Sequence, residues 1–93
     1  MPESPRSIDL RLTVPGDVAY RGLAAEVAAR FAEYSGADVG VAVELGKAVE
    51  RLATHVGNGT QPIDFHLTSE DAVLTVRASS GGRCDETTCP LPE

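Results

Sequence analysis

The chain has 93 residues and a formal net charge of −6, a size typical of one small domain with a single modest core. The acidic balance excludes binding through nucleic-acid phosphates or to an anionic membrane surface, since both need clustered Lys and Arg. Hydrophobic residues make up 42% of the chain, but no run approaches the roughly 18 apolar residues of a membrane span. The N-terminus lacks the apolar stretch of a signal peptide, so we predict a cytoplasmic protein.

The first part of the chain is predicted to hold a disordered segment, a strand and a helix. Residues 1–6 are rich in Pro and Ser, so we expect them to be disordered. Apolar and polar residues alternate over Ile8–Val14, which is typical of a half-buried strand, and a Pro-Gly pair ends it. Asp17 is predicted to cap a helix that Gly36 closes.

This first helix has two sides that the sequence distinguishes. Large apolar residues recur at helical spacing and should face the core. They are Tyr20, Leu23, Ala24, Val27, Phe31 and Tyr34. The alanines predicted to cover the exposed back are Ala25, Ala29 and Ala32.

A second helix is predicted from its cap, Asp38, to about Val56. Its buried stripe consists of Val41, Leu45, Ala48, Val49, Leu52 and Val56. The first turns are rich in β-branched valine, which leaves a short extended piece as an alternative. A β-hairpin follows, because apolar and polar residues alternate over residues 63–68 and again over 73–78, on either side of a polar turn.

The element order is therefore β-α-α-β-β. We predict an α+β fold, a two-layer sandwich in which two helices pack on one face of a three-stranded, mostly antiparallel sheet. Residues 7–82 form this single domain, and residues 83–93 are predicted to be a flexible C-terminal tail.

The order of elements carries a resemblance to a known family. It is supported by the Val14-Pro15 end of the first strand, Gly36 between the helices, and Leu45-x-x-Ala48-Val49 in the second helix. A Gly-rich break follows the last predicted strand. Over about residues 8–82 the chain resembles the anti-sigma-factor kinase domains of the GHKL ATPase superfamily, to which histidine-kinase catalytic domains also belong.

The resemblance implies a nucleotide pocket whose key residues are replaced here. In the family, a Glu on the second helix activates water or the substrate hydroxyl, and an Asn four residues later binds Mg²⁺. The alignment puts Arg51 and His55 at these positions. An alternative alignment puts Lys47 and Arg51 there. The family's Asp-x-Gly, which holds adenine, corresponds to Ser79 and Gly81.

These replacements remove the oxygen ligand that Mg²⁺ prefers and the general base. The family also continues through a lid and a second glycine-rich box, which this sequence lacks. We therefore expect a degenerate, truncated relative without catalytic residues or a cofactor. Arg51 and His55 are then either a small anion site or an exposed helix shoulder.

The two cysteines and His66 are the remaining candidates. The Cys84-x₄-Cys89 spacing fits a redox pair, a small disulfide loop, half of a zinc site, or two reduced thiols in a tail. We predict no metal site, with Cys84 and Cys89 as the weak candidates. His66 alternates with apolar residues and should lie on the opposite face of its strand.

The resemblance implies a non-catalytic regulatory module of the anti-sigma or partner-switching type. Its partner would be a protein, namely a sigma factor, an antagonist or a homologous regulator, and an uncovered edge strand favours a homodimer. One alternative is a nucleotide-dependent serine kinase or ATPase that another chain completes. A second is an unrelated small α+β dimerisation protein.

Overall fold

The computed structural model describes residues 8–57 and 61–91, so the segment 1–6 that was predicted to be disordered lies outside the described residues. The elements in chain order are β1 (Ile8–Val14), a 3₁₀ turn (Val18–Tyr20), α1 (Arg21–Tyr34), α2 (Val39–Val56), β2 (Ile63–Glu70), β3 (Val73–Ser80) and β4 (Arg83–Pro90). All strand pairs are antiparallel, in the order β1-β2-β3-β4. The predicted α+β class is confirmed.

The predicted number of strands is wrong, because the sheet has four strands rather than three. Residues 83–90, which were predicted to belong to a tail, form β4 and pair with β3 along their whole length. The turn between them is made by Gly81 and Gly82, with φ values of 55° and 87°, and a two-residue turn with positive φ matches the twist of a hairpin. β4 carries no alternating apolar residues, so the sequence pattern did not reveal it.

The two helices form an antiparallel hairpin. The prediction that Asp17 caps α1 is wrong, because Tyr20 holds that position and makes no capping hydrogen bond with its side chain, while Asp17 accepts the N–H of Ala19 in the 3₁₀ turn. The end of α1 and the start of α2 are closed as the sequence predicts. Gly36 has φ 106°, and its N–H donates to the carbonyl of Glu33 while the N–H of Ala37 donates to that of Ala32. This is a Schellman closure. Asp38 then caps α2, since its Oδ1 accepts the N–H of Val41 at 2.9 Å. The short connection holds α1 beside α2 over one face of the sheet.

The predicted buried stripe of α1 is correct for Ala24 and Phe31 and wrong for three other residues. Tyr20, Leu23 and Tyr34 are 45%, 47% and 84% exposed. The side chains that α1 buries are mostly alanines: Ala24, Ala28, Phe31 and Ala32. The prediction of an exposed alanine back is also wrong, because Ala32 is fully buried and Ala25 and Ala29 are partly buried against the core.

The reason for this difference is the close contact between the helices. A Cβ placed on Gly46 of α2 would lie 3.4 Å from the carbonyl oxygen of Ala25 and 3.8 Å from the Cβ of Ala29. Only small side chains fit between backbones at this distance. α1 therefore turns Ala25 and Ala29 toward α2, which leaves Leu23 and Tyr34 facing outward.

The core lies between the helix pair and the inner face of the sheet. Its largest fully buried side chains are Phe65, Ile63, Leu67, Leu74, Val14, Val49, Val56 and Val76. The other sheet face is mostly polar in β2 and β3, where buried and exposed residues alternate, and Val73 is an exposed apolar residue on it. Among the described residues, no helix combines the length and apolar character needed to cross a membrane.

Gly46 offers a test of the helix contact. We expect Gly46→Ala to stabilise the fold by about 0.5–1 kcal/mol, because the added methyl fits and alanine favours the helix. Gly46→Leu should instead destabilise the fold by roughly 1–3 kcal/mol through overpacking. Urea unfolding measures both. Gly40 of α2 is exposed, and Gly40→Leu serves as the matched control. Equal stability of Gly46→Leu and Gly46→Ala would contradict the close contact.

Candidate functional site

The basic side chains of α2 lie in one row on its outer flank. Lys47, Arg51 and His55 follow at four-residue intervals, so they share one side of the helix. Arg83, at the start of β4, extends the row. A cavity of about 860 Å³ is lined by Gly22, Lys47, Glu50, Arg51, Thr54, His55 and Arg83. The structure thus brings Arg51 and His55 together, in a chain whose net charge is −6.

His55 is held by contacts to β4. Its Nδ1 donates to Oδ2 of Asp85 at 2.8 Å, and Arg83 Nη1 donates to the main-chain carbonyl of His55 at 3.3 Å. The N–H of Glu86 donates to the other oxygen of Asp85 at 2.9 Å. That backbone hydrogen bond, and then the bond from His55, lower the pKa of Asp85 below its ordinary value of 3.8. These contacts attach the end of α2 to the start of β4.

Arg51 differs from its neighbours because it makes no hydrogen bond or ion pair with a described residue. By contrast, Nζ of Lys47 lies 3.9 Å from Oε2 of Glu44, and the Lys47 side chain is 62% exposed. A free guanidinium can bind a carboxylate or phosphate through two parallel hydrogen bonds. The row can therefore attract an anion, but its solvent exposure weakens each charge interaction.

Ser79 and Gly81 are not part of this row. The strand register places Ser79 opposite Asp64 and Cys84, on the polar face of the sheet that points away from the helices. A separate cavity of about 400 Å³ contains both residues, and Arg83 lines it as well. Of the four positions that the resemblance aligned with a nucleotide pocket, Arg51 and His55 therefore lie on α2, Ser79 lies on the opposite side of the sheet, and Gly81 lies in the turn between β3 and β4.

Arg83 is a charged residue of the basic cavity that the sequence did not indicate. It was placed in the predicted tail, and only the pairing of β4 with β3 brings it to α2. Glu50, the carboxylate next to Arg51 in the sequence, lines the same cavity.

Cys84 and Cys89 lie on opposite faces of β4, because they are five positions apart and side chains alternate between the two faces along a strand. At about 3.3 Å per residue their Cα atoms are roughly 16 Å apart, far beyond the roughly 7 Å limit of a disulfide. Cys84 is exposed, whereas burial raises the pKa of the Cys89 thiol. The described residues contain no group of three side chains that could hold a metal ion.

His66 lies on the polar sheet face, as the alternation predicts, and its Nε2 donates to Oδ1 of Asp9 at 2.8 Å. On the same face Arg77 donates to Glu86 through Nε and Nη2, at 3.2 and 3.1 Å. The charges of this face are thus largely matched within the chain. It is a solvated surface rather than a convergent set of reactive groups.

Comparison with known proteins assigns the chain to no family. No protein-family model matches it, and no curated protein matches it at a significant level. The resemblance to anti-sigma-factor kinase domains therefore stays a prediction from the sequence. The proposals below therefore rest on the apolar and charged surfaces of the helices and edge strands.

The Asp85 carboxylate provides a pH-dependent test of the contact between α2 and β4. Because the pKa of Asp85 is lowered in the folded chain, its contribution to stability is complete above the unfolded value and is lost as pH falls through the folded one. We expect wild type to be more stable than Asp85→Asn near neutral pH, and this difference to shrink as the pH falls below the ordinary pKa of an aspartate. Thermal unfolding across this range measures it. A difference that does not change with pH would contradict the pairing, and Glu70→Gln is the control.

The thiols should differ in reactivity. Cys84 is exposed and Cys89 is partly buried with a raised pKa, so we expect Cys84 to react with a colorimetric disulfide reagent roughly tenfold faster. Cys84→Ser should remove the fast phase and Cys89→Ser the slow phase. Mass spectrometry of the oxidised chain should show no internal disulfide. A bond between the two cysteines would contradict the position of β4.

Proposed function

We propose that this chain is a non-catalytic protein-binding module that forms a homodimer and regulates a protein partner. The observation that carries the proposal is an exposed apolar strip beside a free sheet edge. We call this strip the α1 flank, and it consists of Tyr20, Leu23, Val27 and Tyr34. The resemblance to anti-sigma-factor kinase domains implies that the regulated partner is a sigma factor, an antagonist or a homologous regulator.

The α1 flank continues onto the sheet. Since Ala25 and Ala29 of α1 lie beside Gly46 of α2, the α1 flank points away from α2 and toward the β1 side of the sheet. There Leu10 and Leu12 are only partly buried. Contiguous exposed apolar surface on a small protein typically marks an interaction site. Burying one such large side chain contributes about 1.5–3 kcal/mol.

The free edge of β1 is complementary in charge to a second copy of itself. β1 is a terminal strand, and no described residue pairs with its outer side. If two copies pair antiparallel about a twofold axis at Leu10, Asp9 of each faces Arg11 of the other. An axis at Asp9 or Arg11 would instead place like charges together. Opposite charges across such a pair contribute about 0.2–1 kcal/mol, and twofold dimers are the commonest closed assemblies.

The homodimer is tested by sedimentation equilibrium. We expect Leu23→Glu to weaken association at least about tenfold, because it charges the centre of the α1 flank. Val43→Glu is the matched control, since Val43 is equally exposed, at 48%, but lies on α2. Wild type that stays monomeric at high micromolar concentration would overturn the homodimer.

Charge reversal tests the register of the dimer. Arg11→Asp alone should weaken association, whereas Asp9→Arg combined with Arg11→Asp should restore it, because the exchanged charges again face each other. If the double variant does not recover association, the twofold axis at Leu10 is rejected. The role of the α1 flank is tested separately by Leu23→Glu.

The basic row on α2 can attract a phosphate group, and this observation favours the alternative, a nucleotide-dependent kinase or ATPase. The identity of two residues in the row argues against that alternative. Arg51 and His55 have nitrogen groups where the family has the carboxylate of the general base and the carboxamide that binds Mg²⁺. Thermal unfolding with MgATP and with MgADP distinguishes them. Nucleotide at 100 times its Kd adds about 2.7 kcal/mol of stability, so no shift at millimolar nucleotide rejects the enzyme. A shift that Arg51→Ala removes would reject the non-catalytic module.

A further inference from the structure

We infer that the groove between α2 and β4 binds an extended segment of a different protein, which adds to the sheet as a fifth strand. This inference rests on the proposed function, because it gives the protein-binding module a site for its partner. The groove has a volume of about 510 Å³. Its floor is formed by Val41, Leu45 and Ala48 of α2 and by Thr87, Cys89 and Pro90 of β4.

The edge of β4 supplies the main-chain partners for such a strand. β4 ends the sheet on the side opposite to β1, and no described residue pairs with its outer side. An added strand would lie about 4.8 Å from β4, in the position that the flank of α2 borders. In this mode the main chain of the segment gives affinity, and every second side chain enters the groove and gives specificity.

The floor of the groove accepts apolar side chains. Val41 and Cys89 are partly buried and pack against the core. Ala48 is also partly buried, and its small side chain leaves space in the middle of the α2 flank. These positions favour β-branched or aliphatic residues at alternate places in the bound segment.

Every strand pair of the sheet is antiparallel, so we place the segment antiparallel to β4, and the charged residues of the groove then define the charges of its two ends. α2 and β4 run in opposite directions, because His55 near the end of α2 contacts Asp85 near the start of β4. Asp38 and Glu44 line the groove at the end of β4, while Arg51 lines it toward the start. A segment antiparallel to β4 therefore enters beside carboxylates and leaves beside a guanidinium. The matching chemistry is a basic residue, then alternating apolar residues, then an acidic residue.

The chain's own edge strands do not have this chemistry. β4 begins with Arg83, continues with Asp85 and Glu86, and lacks alternating apolar residues. β1 has the alternation, but its acidic Asp9 precedes its basic Arg11, which is the reverse of the required order. A second copy of this chain therefore fits the groove poorly, and a segment of another protein is the better match.

The experiment is a selection of random dodecapeptides displayed on phage against the full chain, followed by fluorescence anisotropy of the selected peptides. We expect selected peptides to alternate apolar residues between a basic N-terminal and an acidic C-terminal end. Ala48→Glu should weaken their binding by at least about tenfold, whereas Leu23→Glu, on the α1 flank, should leave it unchanged. The proposed groove site would be rejected if Leu23→Glu, and not Ala48→Glu, abolished peptide binding. It would also be rejected if the selection yielded no binding peptide.

A second variant tests direction without touching the groove floor. Glu44 and Arg51 are both exposed, so Glu44→Arg combined with Arg51→Glu exchanges the two charges with little effect on folding. This variant should prefer a peptide whose terminal charges are reversed, and an unchanged preference would overturn the direction. Sedimentation separates the two proposals. If the chain is a dimer but binds no peptide in the groove, the groove proposal is rejected and the homodimer is kept. If the chain is a monomer that binds peptides in the groove, only the homodimer is rejected.

Discussion

The close contact between α1 and α2 determines the shape and surface of this small domain. Gly46 lies so near Ala25 and Ala29 that only small side chains fit between the helices. The alanines of α1 therefore pack on two sides, some against α2 and others in the core above the sheet. Leu23 and Tyr34 of the same helix are left exposed. A contact that depends on small residues thus creates the apolar surface that the proposed homodimer needs.

Both ends of the sheet combine an open strand edge with the flank of a helix, but their chemistry differs. At β1 the adjoining α1 flank is apolar and the strand's own charges are self-complementary. At β4 the adjoining α2 flank mixes an apolar floor with acidic and basic ends. Apolar surface favours association by burial, whereas ordered charges favour specificity. One chain could therefore dimerise at one edge and select a partner segment at the other.

The candidate site shows which parts of a functional inference can be made from sequence. The sequence placed Arg51 and His55 on one shoulder of α2, and both line the same cavity, whereas the presence of Lys47 in that cavity was not predicted. The contribution of Arg83 and the pairing of His55 with Asp85 were not predictable. Both depend on a strand whose side chains carry no alternating apolar pattern. The separation of Ser79 from Arg51 likewise follows from the register of β3.

The sequence by itself determined the local elements of the hairpins and helices. Alternation in β1, β2 and β3, the Asp38 cap and the Gly36 closure are decided by residues within a few positions of one another. Only the tertiary structure decided the rotation of α1 and the existence of β4. Helical spacing shows that apolar residues share a side, but the distance to α2 selects which side is buried. A polar strand is stabilised by main-chain hydrogen bonds to a neighbour, and those bonds leave no trace in its side chains.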